Sequence, residues 1–304
     1  QFQGSEKEVT TFASLRLIHM PQTIDMILAE PLTGYGYGKF ERGFVAYTAE
    51  GYARGEITIP GIGGLDHPHN ELMLWAAEGG IVALAGVLLA AWFVWSLVMK
   101  LPMAHRLAVI GLFFPIVLHT QLEYPFYTSV PHWITFVLLI YWLDSLVSPV
   151  KSVQAEQGLL FGTGGVLIPL VTTAFMMTTL QSGYLLARYE FGLEQDVRSL
   201  QRMLNPVVWI DRVLLAINFR LVLQGVTSQD PALAQVFIDW SPAFLDRYPR
   251  PMHYRYLMMA YQVTGAADDA IATRDRAKYL FPGESFELVD IEQLAQIRIL
   301  RRPQ

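Results

Sequence analysis

The residues best equipped for chemistry lie in one short run, Asp66-His67-Pro68-His69-Asn70, with Arg16 well upstream and Glu123 well downstream. Imidazole has an ordinary pKa of about 6.5 and can take a proton near neutral pH. A guanidinium forks onto phosphate oxygens, which suits Arg16 to an anionic group. Residue type leaves three uses for the histidines: a general base, a helix cap formed with Asn70 ahead of Glu71–Leu74, or metal ligands with Asp66. Zinc usually takes three or four protein ligands. No further His or carboxylate pattern joins these, so no metal is expected. Pro68 restricts the residue before it, and with it how both rings could face one substrate.

These residues must be positioned by membrane elements. Of the 304 residues 53% are hydrophobic and only 16% charged, where soluble domains carry about 25%. The deficit is local. From Gly79 to Tyr184 the only charged residues are Lys100, Arg106, Glu123, Asp144, Lys151 and Glu156. A bilayer imposes this segregation, because a charge at its centre costs roughly 2.5–3.5 kcal/mol on insertion scales. A span needs about 20 mainly apolar residues, and Gly79–Met99, Leu107–Leu122, Phe126–Leu143 and Gly158–Leu180 are expected to be four such helices. Lys100, His105 and Arg106 follow the first and Lys151 the third, which puts those connections in the cytoplasm. The leading loop, the turn at Glu123–Val130 and the tail then share the outer side. Glu123 is the sole carboxylate of its turn, where an ionisable group is functional by default; a helix-end residue facing water is the alternative.

The expected organisation is therefore all-α: a loop over 1–78, four transmembrane helices over 79–184, and a soluble helical domain over 185–304. In the tail, Asn205-Pro206 predicts a helix start and Gly225 its stop; Asp230-Pro231 predicts another start. Met252–Thr264 and Ala266–Phe281 predict a pair broken at Gly265, similar to one tetratricopeptide unit. That domain serves packing or acceptor recognition, both common uses of helical repeats. The run Pro31-Leu32-Thr33-Gly34-Tyr35-Gly36-Tyr37-Gly38-Lys39-Phe40 lacks the Gly-Lys-Ser/Thr ending of a phosphate loop. It predicts a tight turn in which glycine permits φ > 0 and the rings lie on the membrane surface. With no basic block, nucleic acid is not an expected partner, and the absence of cysteine excludes disulfides and thiolate sites. Gln1–Asn70 opens like a loop entered in mid-protein, and spans ahead of it are expected.

His69-Asn70 followed after nine residues by Gly80, with Glu78 two before that glycine, resembles the signature of the O-antigen ligase superfamily. So does Arg16 followed at a distance by Pro31-Leu32-Thr33-Gly34-Tyr35-Gly36. With Gln121-Leu122-Glu123-Tyr124-Pro125-Phe126 and the helical tail, the chain is most similar to bacterial protein O-oligosaccharyltransferases of the PglL/PilO type. It departs at Ala83, where glycine, threonine or tyrosine is usual. The resemblance implies a GT-C-like membrane fold in the bacterial inner membrane. It also implies transfer of a glycan from an undecaprenyl-pyrophosphate carrier to Ser or Thr of a periplasmic protein such as a pilin, without nucleotide, metal or other cofactor. It makes His69 the catalytic base, oriented by Asn70 or with Asn70 closing the helix end, and Arg16 the group that neutralises the pyrophosphate. His67 would assist; Lys39, Arg42 and Arg54 are either further donor contacts or solvated charges. The alternatives are an O-antigen ligase or a polymerase, which use a glycan acceptor. A transporter would want ionisable residues inside the spans, and only His119 and Asp144 qualify.

Overall fold

The computed structural model describes residues 12–61, 63–148, 155–194 and 196–288. All regular structure among them is helical: α1 (Phe12–Ala29), α2 (Phe40–Ala53), α3 (Glu71–Val98), α4 (Met103–Leu122), α5 (Pro125–Thr128), α6 (Val130–Val147), α7 (Ala155–Glu190), α8 (Ile210–Ser228), α9 (Pro231–Leu245), α10 (Pro251–Val263) and α11 (Ala267–Leu280), with two short 3₁₀ turns before α8. Among the described residues four helices are long and apolar enough to cross a membrane: α3, α4, α6 and Gly162–Glu190 of α7. Val82, Trp92, Leu138 and Ile168 on them are all more than half exposed, a surface that fits lipid and would be costly in water.

The chain divides into two compact units. The first comprises Gln1–Val150 with Ala243–Pro251 and Asp275–Phe286. Leu97, Val98, Val109, Phe113 and Leu143 bury one core among α3, α4 and α6, and Met26, Phe40, Phe44, Leu74 and Ala77 bury another among α1, α2 and the start of α3. The span-bearing helices differ from the expected apolar runs at several boundaries, the second already starting at Met103. The first span belongs to a helix that already begins at Glu71, because Asn70 caps it: its side chain accepts from the Met73 amide at 3.0 Å. The third starts at Val130, since Pro125 opens the separate short helix α5. The fourth runs on to Glu190.

Inside α3, Gly80 leaves helical geometry at φ 62°, ψ −157°. The glycine turn explains the break. The Tyr35 and Gly36 amides donate to the Ala77 and Glu78 carbonyls at 2.8 and 2.9 Å, and the Ile81 amide donates to Pro31 O at 2.8 Å. The turn thus supplies the partners that the interrupted ladder loses, as backbone groups at membrane depth require. Gly34, Gly36 and Gly38 all have positive φ, as the turn predicts. Its rings do not simply lie on a surface: Tyr35 packs against the α1–α2 core and Tyr37 against Trp75.

The second unit comprises Lys151–Pro242, Met252–Arg274 and Glu287–Gln304. Its helices α9, α10 and α11 begin within a residue or so of the predicted positions, and Gly265 sits at φ 78° between the last two. Two expectations fail there. Asn205 does not cap a helix; its side chain donates to Thr179 Oγ1 on α7 at 2.9 Å, and α8 starts only at Ile210. Gly225 does not stop α8, which continues to Ser228 and ends on left-handed Gln229. A Cβ at Gly225 would lie 3.0 Å from the Ala234 amide, so this glycine lets α8 and α9 approach closely.

Candidate active site

Two turns of the first unit bring the site together. One is the segment Leu65–Asn70 that enters α3; the other is the link between α4 and α5. That link is clamped to the foot of α3 twice. The Phe126 amide donates to Glu71 Oε2 at 3.0 Å, and Asn70 Nδ2 donates to Gln121 Oε1 at 3.2 Å. Glu123, extended at the end of α4, is thereby held beneath the histidines. Asn70 accordingly works as a cap and a strut, and its contacts are with Met73 and Gln121.

His67 Nε2 lies 3.2 Å from Glu123 Oε2, His69 Nδ1 lies 3.1 Å from the same oxygen, and the two nitrogens are 3.1 Å apart. Pro68 thus does not keep the two rings apart, and both meet one carboxylate. The reason is backbone: His69 adopts φ 54°, a left-handed conformation uncommon outside glycine, which swings its ring back beside that of His67. Such strain of about 1–3 kcal/mol persists only where surroundings enforce it, and clusters at functional sites. The second ring nitrogen of His67, Nδ1, is 2.5 Å from Asp66 Oδ1, and its ring lies over Tyr124 at 3.7 Å between centroids.

Arg16 of α1 reaches the same carboxylate from the other side, donating through Nη2 to Glu123 Oε1 at 2.9 Å and to the Leu122 carbonyl at 3.0 Å. The hydrogen bond from His67 holds the Asp66 carboxyl below the ordinary carboxylate range, against the opposing effect of burial. For Glu123 burial pushes upward, but the hydrogen bonds from His69 and His67 together push harder, and the carboxyl stays depressed and ionised. Burial, aided by the charges of Asp66 and Glu123, raises the Tyr124 phenol to about 12, so it remains neutral above His67.

A cavity of about 280 Å³ opens beside this cluster, lined by Arg16, His19, Met20, Gly63, Gly64 and Leu65 together with Asp66–His69. It lies at the small end of ligand pockets and has room for a phosphate-sized group. His19 and Met20 carry no motif that sequence could flag. Their signal is only that they follow Arg16 by one helical turn on α1.

Lys39 and Arg42 are not brought to this cavity. Asp246 takes both, with Arg42 Nη1 at 2.6 Å and Lys39 Nζ at 3.6 Å. Arg54 is paired on the surface with Glu50 and Glu56. Next to the first pairing, buried Glu41 receives Arg250 through Nε and Nη2 at 2.9 and 3.0 Å, and also the Gly64 amide at 3.0 Å. The hydrogen bond to Glu41 keeps the Arg250 guanidinium firmly charged. This bidentate pair, absent from any sequence motif, ties the cavity wall at Gly64 to the segment Ala243–Pro251.

His67, His69 and Glu123 are also a candidate ligand set for a metal ion, their donor atoms all within 4.8 Å of one another. Glu123 offers the third donor atom of that set, from 54 residues beyond His69.

Comparison with known proteins adds one match. The family model described as virulence factor membrane-bound polymerase, C-terminal, matches residues 107–296, a stretch that includes Glu123 and begins after the histidines. No curated protein and no solved structure matches the chain.

Proposed function

The chain belongs to this family of membrane-bound virulence-factor polymerases, and from that premise we propose that its first unit transfers a glycan from undecaprenyl pyrophosphate to an acceptor hydroxyl. Membership supports a polymerase- or ligase-type membrane transferase acting on a lipid-linked donor. The observation that carries the residue assignment is the convergence of His69, His67 and Arg16 on Glu123 beside an open cavity.

The proton arrangement follows from which atoms face each other. Glu123 is an acceptor, so His69 Nδ1 and His67 Nε2 both present N–H groups to it, and His67 Nδ1 presents another to Asp66. His69 is then left with a lone pair on Nε2. In the proposed reaction that nitrogen takes the acceptor hydroxyl's proton as its oxygen attacks the anomeric carbon. The new C–O bond forms while the bond to pyrophosphate breaks, and the anomeric centre inverts. Glu123 stabilises the resulting imidazolium, as a carboxylate partner does for a catalytic histidine. Arg16 neutralises the departing pyrophosphate. Asn70 acts as the cap that starts α3 directly after His69, and Lys39 and Arg42 act in holding Asp246 rather than the donor. The reaction belongs on the periplasmic face of a bacterial inner membrane.

Ser or Thr of a periplasmic protein such as a pilin is the proposed acceptor, on the strength of the Glu123-Tyr124-Pro125 stretch and the helical tail. The family's description as a polymerase favours a second reading in which the acceptor is a glycan hydroxyl. One experiment separates them. Cells supplied with the lipid-linked glycan and a pilin are followed for pilin mass and for lipopolysaccharide capping or chain length, with the wild type and His69→Ala. Pilin modification by the wild type alone supports the protein acceptor; a change only in lipopolysaccharide supports the glycan acceptor. Unaltered transfer by His69→Ala sinks the base assignment.

A further inference from the structure

The geometry points to a transition-metal site, suited to zinc, formed by His67 Nε2, His69 Nδ1 and Glu123 Oε2. These three atoms make a nearly equilateral triangle with edges of 3.1, 3.1 and 3.2 Å. Tetrahedral zinc with bonds of about 2.0–2.1 Å to nitrogen or oxygen holds its ligands about 3.3 Å apart. The triangle therefore needs almost no movement to close around an ion. Two imidazoles and one carboxylate are the ligand set of an open zinc site, with the fourth position left free.

The neighbouring contacts fit the same purpose. Asp66 Oδ1 keeps the Nδ1 proton of His67, so that an ion displacing the Nε2 proton meets a lone pair on Nε2, which faces inward. Arg16 occupies Glu123 Oε1 and so leaves Oε2 for the ion. His67 and His69 both line the cavity, which gives an ion its way in and an exchangeable ligand room at the fourth position. The partly buried side chains, 13% exposed for His67 and 23% for His69, keep the ligands ordered without sealing them.

The site stands on this geometry alone; its consequence rests on the proposed role of His69. Zinc on Nδ1 leaves the ring's remaining proton on Nε2, the nitrogen assigned to accept the acceptor's proton. Bound zinc therefore inhibits transfer, and a chelator restores it.

The test uses the full chain in detergent or nanodiscs, stripped of metal and titrated with zinc chloride against a chromophoric chelator. We expect one zinc per chain. His67→Ala and Glu123→Gln should each weaken binding by about 100-fold or more, and Asp66→Asn by about 10–100-fold through the outer contact. His105→Ala, in the first turn of α4 at its end away from Glu123, should bind as the wild type does. Helical circular dichroism reports whether each variant is folded; should Glu123→Gln fail to fold, His69→Gln takes its place. X-ray absorption on the zinc-loaded protein should show two imidazoles and a carboxylate oxygen at about 2.0–2.2 Å. Absence of saturable binding, unchanged binding in folded His67→Ala, or oxygen-only coordination overturns the site. Zinc bound with these signatures while transfer proceeds at full rate leaves the site standing and overturns the base role of His69.

Discussion

Two turns meet α3, one bonded to its break at Gly80 and one leading into its start, and both use left-handed backbone, but they use it for opposite ends. The glycine turn places Gly34, Gly36 and Gly38 at positive φ, where glycine meets no Cβ penalty, and spends its amides on the broken ladder at Gly80. The histidine turn places His69 at φ 54° and keeps a side chain there, accepting strain to set a ring against Glu123. The first turn is stabilising architecture; the second holds a reactive group in a conformation the chain alone would avoid. Left-handed residues that are not glycine are the ones to question for function.

The contrast can be broken at either turn. Gly80→Ala is expected to be the most damaging change, since its Cβ would lie 2.3 Å from the Leu32 carbonyl oxygen at a left-handed position. Overpacking and φ strain together should cost about 3–5 kcal/mol, seen as loss of folded protein in thermal melts. His69→Ala should leave the melting temperature nearly unchanged while lowering glycan transfer by about 10²–10⁴-fold, the usual worth of a general base. Arg250→Ala removes the partner of buried Glu41 and should cost about 2 kcal/mol, less than a fully buried pair because Arg250 is 38% exposed; denaturant melts check it. The smallest effects carry the sharpest contrast. His69→Gly should stabilise the fold by about 1 kcal/mol while abolishing transfer, whereas Gly36→Ala, at φ 98°, should destabilise it by about 1 kcal/mol. Equal signs in the two melts would show that the turns do not differ in the way described.

Much of the helical layout was legible because it is written locally. Charge depletion and apolar runs located the four candidate spans, and Asp230-Pro231 and Gly265 marked helix ends by their own backbone chemistry. Boundaries moved where a distant contact decided them. Asn205 was drawn to Thr179 on α7 instead of capping, and Gly225 served a helix crossing instead of a stop. The same holds for Lys39 and Arg42: their charge was legible, but Asp246, some 200 positions on, decided what it meets.

By itself the sequence determined an all-helical membrane chain whose histidine run enters the first candidate span, because hydropathy, charge and capping act over a few residues. Only the tertiary structure decided that His67, His69 and Arg16 share one carboxylate, across separations of 56, 54 and 107 residues. The left-handed turn at His69 belongs to that second class as well. Its cost is local, but the contact with Glu123 that accompanies it comes from the far end of α4, clamped in place by Glu71 and Asn70.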